Sequence, residues 1–274
     1  MKFAIYGAGA IGQYLGAKLG KFGHDVFLIA RGDRLSLIQK EGITVYGDGE
    51  SLHTRPKATD NCSDVGVVDY VFLTVKAGRL SEIADKLGPL LGPETVVVST
   101  QNGIPWWYFY KEGGPHEGRR IKSIDPDGLI TKSIPMDQII GSIVFPAVIQ
   151  NGLNSVTHIE GNKISVGELD GQTTTRVRDL SKALRESGLK SPITSNIRAV
   201  MWAKLIGNIA FNPVSSLTLA NLREISTDEQ LIIGIRRVME EANAVAKYFI
   251  KKVPITVDQR LAGIAKVGDH KTST

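Results

Sequence analysis

The glycine-rich start of the chain constrains its fold more than any other stretch. The apolar run 2–6 predicts a buried strand, and the apolar-periodic segment 10–22 predicts a helix. Three glycines lie between them with the spacing G-x-G-x-x-G, which brings backbone amides and a helix N-terminus close to a phosphate group. A turn without a ligand is the alternative, but the strand-to-helix context favours a dinucleotide site. The residues of this predicted cofactor-binding turn are Gly7, Gly9, Ala10, Ile11 and Gly12.

The end of the second predicted strand, 26–29, indicates which dinucleotide is bound. Arg31 follows this strand and lies 19 residues after Gly12. An acidic residue near this position would bind the ribose hydroxyls of NAD, whereas an arginine suits the 2′-phosphate of NADP. The nearest acidic residue, Asp33, comes two positions later. We therefore expect NADP(H) as the cofactor; the alternative is that Arg31 is a solvated loop residue.

The segments that follow predict a parallel sheet. Apolar runs at 68–75 and 95–100 predict two more strands, and a helical pattern at 80–91 separates them. Strands that alternate with helices are typical of a doubly wound sheet, which binds ligands at the carboxyl ends of its strands. Lys76 and Asn102 follow these two strands, so we expect both to join the glycine turn and Arg31 in the cofactor site.

The pattern changes in the second half of the chain. Segments 139–149, 155–159 and 163–166 alternate as strands, and we expect them to extend the first sheet in antiparallel fashion. Helical periodicity dominates after residue 170. The expected fold class is therefore α/β: a Rossmann-type doubly wound parallel sheet with an antiparallel extension, followed by an all-α C-terminal domain. The expected domains are 1–170 and 171–274.

The predicted helix 196–212 carries a second constellation of polar residues. Lys204, Asn208 and Asn212 lie at positions i, i+4 and i+8, which places them on one helix face. Pro213 follows and is expected to weaken or kink the helix, because it removes a backbone donor. An ordinary polar stripe is the alternative. A lysine and two amides among apolar neighbours are not typical of a solvated face, and we expect a functional site here.

Composition limits the remaining classes of function. A chain of 274 residues with 42% hydrophobic and 22% charged residues is typical of a soluble globular protein with a sizeable core. Its net charge of +5 is scattered, which favours small anionic ligands over nucleic acid. Cys62 is the only cysteine, which excludes an intramolecular disulfide and fits a reducing cytosol. We expect no metal site, since the five histidines lack metal-ligand spacing, and no signal peptide or membrane span.

The aromatic run 106–110 directly follows Asn102. Packing into the core is the first interpretation. A wall beside a reacting centre and a subunit contact are the alternatives.

Several motifs together resemble the ketopantoate reductase (2-dehydropantoate 2-reductase) family. They are GAGAIG at 7–12, IAR at 29–31, TVKA at 74–77, TQNG at 100–103, HIEGNKISVGELDG at 158–171, WAKLIGNIAFNP at 202–213 and GDHKTS at 268–273. The resemblance covers the whole chain. It implies a Rossmann domain followed by a helical domain that binds substrate and forms dimers. It also implies NADPH-dependent reduction of 2-dehydropantoate to (R)-pantoate in the cytoplasm, in the pathway to pantothenate and coenzyme A.

The resemblance also implies roles for single residues. The family's catalytic lysine matches Lys204, and its two substrate-binding asparagines on the same helix match Asn208 and Asn212. The asparagine near both nicotinamide and substrate matches Asn102, and the substrate-binding serine matches Ser273. Family members continue past this serine into a segment with a carboxylate that contacts the substrate hydroxyl, whereas the printed sequence stops at Thr274.

Three expectations follow from this departure and from the aromatic run. For the chain as printed, we expect near-normal NADPH affinity together with weak 2-dehydropantoate binding and poor turnover. Only a subset of such sequences carries the aromatic run, so a related reductase of another branched 2-oxo acid or lactone is an alternative. A protein that binds NADP(H) without turnover is the alternative from another class. A homodimer is compatible with each of them.

Overall fold

The computed structural model describes residues 1–47 and 49–264. The chain folds into two compact units, one of Met1–Ile197 and one that starts at Arg198. The predicted functional domains, 1–170 and 171–274, stay a prediction, because compactness does not assign a function to either part.

The first unit contains eleven described strands and four described α-helices. In chain order they are β1 (Lys2–Tyr6), α1 (Ala10–Lys21), β2 (Asp25–Ile29), α2 (Gly32–Glu41), β3 (Ile43–Gly47), β4 (Glu50–Thr54), β5 (Lys57–Thr59), β6 (Tyr70–Leu73), β7 (Val96–Ser99), α3 (Leu129–Ser133), β8 (Ile139–Val144), β9 (Ala147–Gln150), β10 (Ser155–Glu160), β11 (Ile164–Glu168) and α4 (Thr175–Glu186).

Seven of these strands form the main sheet, in the order β11-β8-β7-β6-β1-β2-β5. The six strands from β8 to β5 in this order are parallel to their neighbours, and β11 pairs antiparallel with β8. β6 and β7 are buried along their whole length, as expected for strands covered on both faces. The predicted parallel sheet with an antiparallel extension is confirmed.

The structure corrects the prediction that every later strand joins this sheet. β9 and β10 belong to a second, four-stranded sheet in the order β4-β3-β10-β9. The predicted single strand 139–149 is interrupted at Pro146, which has no backbone N–H to donate to a ladder. β10 pairs in parallel with β3, so its partner lies more than a hundred residues earlier in the chain.

The segment 80–91 differs from its predicted α-helix as well. Residues Ala84–Leu90 form a 3₁₀ helix that contains Pro89. Gly88 and Pro89 are the two poorest α-helix formers, and both lie within this 3₁₀ segment. Its apolar residues Ala84, Leu87 and Leu90 are still buried, so the hydrophobic spacing was predicted correctly while the helix type was wrong.

α1 contacts strands of both sheets, which explains its unusual burial. Gln13, Tyr14, Leu15 and Leu19 are all buried along it, because a helix enclosed on most sides has no wide polar face. Burial of each leucine contributes about 2 kcal/mol of hydrophobic free energy. The Nε2 of the buried Gln13 donates to two backbone acceptors, the carbonyl oxygens of Ala8 at 2.9 Å and Leu153 at 3.0 Å.

The described part of the second unit is helical, as predicted. It consists of α5 (Ile197–Thr218, which begins at the last residue of the first unit), α6 (Leu222–Thr227), α7 (Glu229–Phe249) and α8 (Val257–Ile264). α5 continues as one helix through Pro213 for five more residues. Trp202 of α5 stacks on Phe249 of α7 with ring centroids 6.5 Å apart. Over residues 1–47 and 49–264, no helix has the length and apolar character required to cross a membrane.

Candidate active site

Four predicted cofactor residues follow the carboxyl ends of adjacent parallel strands. β7, β6, β1 and β2 are consecutive neighbours in the main sheet. Asn102 follows β7, Lys76 follows β6, Gly7 follows β1 and Arg31 follows β2. The sheet therefore brings these four positions to one edge, where ligands bind in open α/β folds.

Close packing within the turn explains two of its glycines. Gly7 has a φ of +112°, which L side chains rarely adopt. A Cβ on Gly12 would lie 1.9 Å from the carbonyl oxygen of Gly7, so the start of α1 can approach the turn only without a side chain. Thr74 fixes the same carbonyl, because its Oγ1 donates to the oxygen of Gly7 at 2.6 Å. Sequence reasoning included Thr74 in the TVKA motif but assigned it no role.

Gly9 has a different environment from the other two glycines. A Cβ built on Gly9 meets no atom within 4 Å, so this face of the turn opens into free space. Gly9 is the N-cap of α1, no side chain caps this end, and the first turn holds no acidic residue. The leading amides, at Ala10, Ile11 and Gly12, and the helix dipole therefore favour an anion here. The turn fits a dinucleotide pyrophosphate.

Two arginines lie beyond the end of β2. Arg31 is exposed and precedes α2 as its N-cap in an extended conformation. Arg34, one turn into α2, is half-buried, and its Nη1 donates a short hydrogen bond to the carbonyl oxygen of Ala8. Burial lowers the pKa of Arg34. Arg34 thus joins α2 to the glycine turn, a contact that no local sequence pattern indicates.

The segment before Asn102 is tied to the end of the neighbouring strand. Thr100 donates through its Oγ1 to the carbonyl oxygen of Leu73 at 2.6 Å. Gln101 donates through its Nε2 to the carbonyl oxygens of Leu73 at 2.7 Å and Val75 at 3.2 Å. These bonds hold the backbone that carries Asn102 beside the backbone that carries Lys76. Both of these side chains are exposed.

The aromatic run after Asn102 packs mainly into the core, which confirms the first interpretation. Trp106, Trp107 and Tyr108 are all buried. The indole Nε1 of Trp107 donates to the Oγ of Ser99 at 2.7 Å, so its polar atom is satisfied at the end of β7. The two alternatives for this run stay predictions.

The three polar residues predicted on one helix face lie on α5, in the second unit. Lys204, Asn208 and Asn212 keep their four-residue spacing along an unbroken helix, and each is half-buried. Burial, and to a smaller extent the positive charge of Arg260, together lower the pKa of Lys204 to about 8. An ammonium group with this pKa both attracts negative charge and releases its proton readily near neutral pH. Arg260 was not identified from the sequence.

Two further expectations concern substrate and metal. Ser273 lies outside the described residues. In the described part of the chain, no group of three or more histidine, cysteine, aspartate or glutamate side chains could hold a metal ion. Cys62 is a buried free thiol.

Comparison with known proteins shows the family. The ketopantoate reductase PanE/ApbA family matches residues 3–112, and its C-terminal domain matches residues 196–274. A 2-dehydropantoate 2-reductase from Mesorhizobium japonicum is 42% identical over 274 residues, which cover all of this chain and 84% of the relative.

Solved structures agree with this match. A crystal structure from Ralstonia solanacearum MolK2, described as that of a candidate ketopantoate reductase, has a TM-score of 0.94 at 33% identity and covers 99% of this chain and 84% of its own. D-mandelate dehydrogenase bound to NADH and anilino(oxo)acetate has a TM-score of 0.82 at 22% identity, over 100% of this chain and 84% of its own, a likeness of fold. Together with the glycine turn and the lysine-bearing helix, these matches show that the chain belongs to the ketopantoate reductase family.

Proposed function

We propose that this chain reduces 2-dehydropantoate to (R)-pantoate with NADPH, a step in the biosynthesis of pantothenate and coenzyme A. One observation carries the proposal: 42% identity, over the full length of the chain, to a 2-dehydropantoate 2-reductase. The lowered pKa of Lys204 supports a catalytic role, because strongly perturbed pKa values are typical of catalytic acids and bases.

The first unit would hold the cofactor. The amides at the start of α1 would bind the pyrophosphate, with Gly9 leaving room for it. Arg31 would bind the 2′-phosphate through its guanidinium, which favours NADPH over NADH. Lys76 and Asn102, at the ends of the next two strands, would contact the rest of the dinucleotide. When bound, the dihydronicotinamide supplies the hydride.

Lys204 would carry out the proton chemistry. During reduction of a 2-oxo acid, negative charge develops on the oxygen of the C2 carbonyl. The Nζ ammonium of Lys204 would stabilise this charge and then donate a proton to the oxygen. A pKa of about 8 leaves Lys204 mostly protonated at neutral pH, yet makes it a much stronger acid than an exposed lysine.

Amide and hydroxyl groups would orient the substrate. Asn208 and Asn212 lie one and two turns beyond Lys204, and their amides can bind substrate hydroxyl and carboxylate oxygens without adding charge. We assign Asn102 a second contact with the substrate and Ser273 a contact with its carboxylate. These roles follow from the family resemblance of each position.

The same proposal covers the role of the second domain, the oligomeric state and the cellular location. We propose that residues 171–274 bind the substrate and contribute to a homodimer, and that the protein acts in the cytoplasm. Size-exclusion chromatography with light scattering tests the dimer, since a monomer would be half the expected mass.

A direct assay tests the proposed reaction. Purified protein is mixed with NADPH, and the loss of its absorbance is followed with and without 2-dehydropantoate. We expect oxidation that depends on the 2-oxo acid, and formation of pantoate in equal amount. The Lys204→Ala variant is the control for contaminating reductases. Tight NADPH binding without pantoate formation would contradict the proposal and favour a protein that only binds the cofactor.

A further inference from the structure

A second cation lies beside the predicted catalytic lysine in the second unit. Arg260 of α8 places its guanidinium against Gly207 of α5, where an added Cβ would lie 2.5 Å from Nη2. Gly207 is three residues after Lys204, so both belong to the same stretch of helix surface. The electrostatic effect of Arg260 on Lys204 also shows that the two charges are near each other.

The guanidinium of Arg260 lacks a counter-charge in the described part of the chain. Its Nε is buried without a hydrogen-bond partner among these residues, and Arg260 takes part in none of their ion pairs. The nearest acidic residue along α8, Asp258, pairs instead with Arg236 at 2.6 Å. A buried cation that is not paired loses hydration energy without compensation, and an anionic ligand would restore it.

The cleft beside Arg260 is narrow and has room for a group about the size of a water molecule. A small cleft adjoins the guanidinium, and helices α5, α7 and α8 and the segment before α8 contribute to it. Its lining residues are Ala203, Ile206, Asn243, Ile255, Thr256, Val257 and Arg260. The lining combines apolar side chains with the guanidinium of Arg260, the amide of Asn243 and the hydroxyl of Thr256.

We propose that Arg260 binds the carboxylate of the 2-oxo acid substrate, beside Lys204. This inference rests on the proposed function for the identity of the substrate. A guanidinium forms two parallel hydrogen bonds to a carboxylate, which fixes the orientation of a 2-oxo acid as well as its charge. The carbonyl to be reduced is bonded directly to the carboxylate carbon, so a substrate held by Arg260 presents its C2 oxygen to a neighbouring donor. Lys204 is that donor in the proposed reaction.

Gly207 provides a geometric test of this assignment that leaves both charges in place. An alanine at position 207 would meet the flexible end of Arg260 rather than backbone, so the guanidinium would shift while the helix stays intact. Alanine is also a better helix former than glycine. The Gly207→Ala variant should therefore fold at least as well as wild type and bind the carboxylate less well.

The experiment compares a substrate that has the carboxylate with one that lacks it. Reduction of 2-dehydropantoate and of its neutral lactone is measured in wild type, Arg260→Gln, Gly207→Ala and the control Arg237→Gln, which alters an exposed arginine on α7. The lactone is assayed as a substrate or, if it is not reduced, as a competitive inhibitor. Cofactor affinity is measured in each variant by NADPH fluorescence.

We expect Arg260→Gln to raise the KM for 2-dehydropantoate by roughly tenfold to a hundredfold, the usual effect of losing a charge-assisted contact. The lactone constants and NADPH affinity should hardly change. Gly207→Ala should raise the ratio of the KM for 2-dehydropantoate to the corresponding constant for the lactone by about tenfold. Arg237→Gln should leave this ratio unchanged. An equal loss for both substrates in Arg260→Gln, or an unchanged KM for the acid, would overturn the inference.

Failure of the proposed reaction can be distinguished from failure of the Arg260 assignment. If wild type does not reduce 2-dehydropantoate at all, the proposed reaction is wrong, and calorimetry with 3-methyl-2-oxobutanoate still tests Arg260. Weaker binding of this branched 2-oxo acid by Arg260→Gln than by wild type would support the carboxylate site. Equal binding by the two proteins, or none by wild type, would overturn it.

Discussion

Two alanine substitutions in the glycine turn should differ in their consequences: Gly9→Ala should weaken cofactor binding and Gly12→Ala should lower stability. In Gly9→Ala the new methyl group meets no protein atom within 4 Å. The backbone of Gly9, with φ −79° and ψ −166°, suits alanine as well. In Gly12→Ala the methyl group would lie 1.9 Å from the carbonyl oxygen of Gly7 and 2.8 Å from Oγ1 of Thr74. That contact is with backbone, so the turn itself must move.

The magnitudes follow from these contacts. Gly9→Ala should change the free energy of unfolding by less than about 1 kcal/mol, since alanine is only a poorer N-cap than glycine. It should nevertheless weaken NADPH binding by about tenfold or more, because the methyl group occupies space that the pyrophosphate needs and displaces a charge-assisted contact. Gly12→Ala should lose about 3 kcal/mol or more, the upper range for overpacking. The unfolding midpoint should then fall by roughly 6–12 °C.

Thermal unfolding without ligand and NADPH fluorescence titration measure the two effects separately. The expected pattern is a stable Gly9→Ala protein that binds NADPH weakly and an unstable Gly12→Ala protein. Wild-type NADPH affinity in Gly9→Ala would refute the assignment of the pyrophosphate to this turn. Wild-type stability in Gly12→Ala would refute the close packing of α1 against Gly7.

Three further predictions concern charged side chains. Lys204→Ala should lower kcat by roughly a hundredfold or more with NADPH affinity unchanged, as steady-state kinetics and titration would show; near-normal turnover would remove Lys204 from the mechanism. The kcat/KM of wild type should fall as pH rises above about 8, because Lys204 then loses the proton it donates; a flat profile to pH 9.5 would contradict this, and residual activity of Lys204→Ala should lack the inflection. Arg31→Ala should weaken NADPH binding by about 2 kcal/mol and leave NADH binding unchanged, measured by calorimetry; equal wild-type affinity for the two cofactors would contradict the role of Arg31.

The sequence was informative where chemistry and local pattern coincide. The spacing of Gly7, Gly9 and Gly12 predicted a strand, a turn and a helix because only glycine permits their close approach, and β1 and α1 lie where the pattern indicates. The four-residue spacing of Lys204, Asn208 and Asn212 likewise predicted a shared helix face. These features depend on residues near one another in the chain, so the local sequence contains the necessary information.

The sequence was uninformative where distant segments meet. Nothing in β10 indicates that it pairs with β3, since any strand with alternating apolar residues could do so. In the sequence, Arg34 and Arg260 look like ordinary helix arginines. In the folded chain, Arg34 contacts the carbonyl oxygen of Ala8 and Arg260 lies against Gly207. Pro213 lies within α5, which continues to Thr218, and the expected weakening or kink at this residue stays a prediction.

The fate of the transferred hydrogen tests the proposed reaction most directly. Wild-type protein is incubated with 2-dehydropantoate and NADPH that carries deuterium at C4 of the nicotinamide, and the product is analysed by mass spectrometry and NMR. We predict one deuterium at C2 of pantoate when the transferred face is labelled and none when the opposite face is labelled. No pantoate, or pantoate without deuterium from either face, would contradict the proposal that this chain is a 2-dehydropantoate reductase.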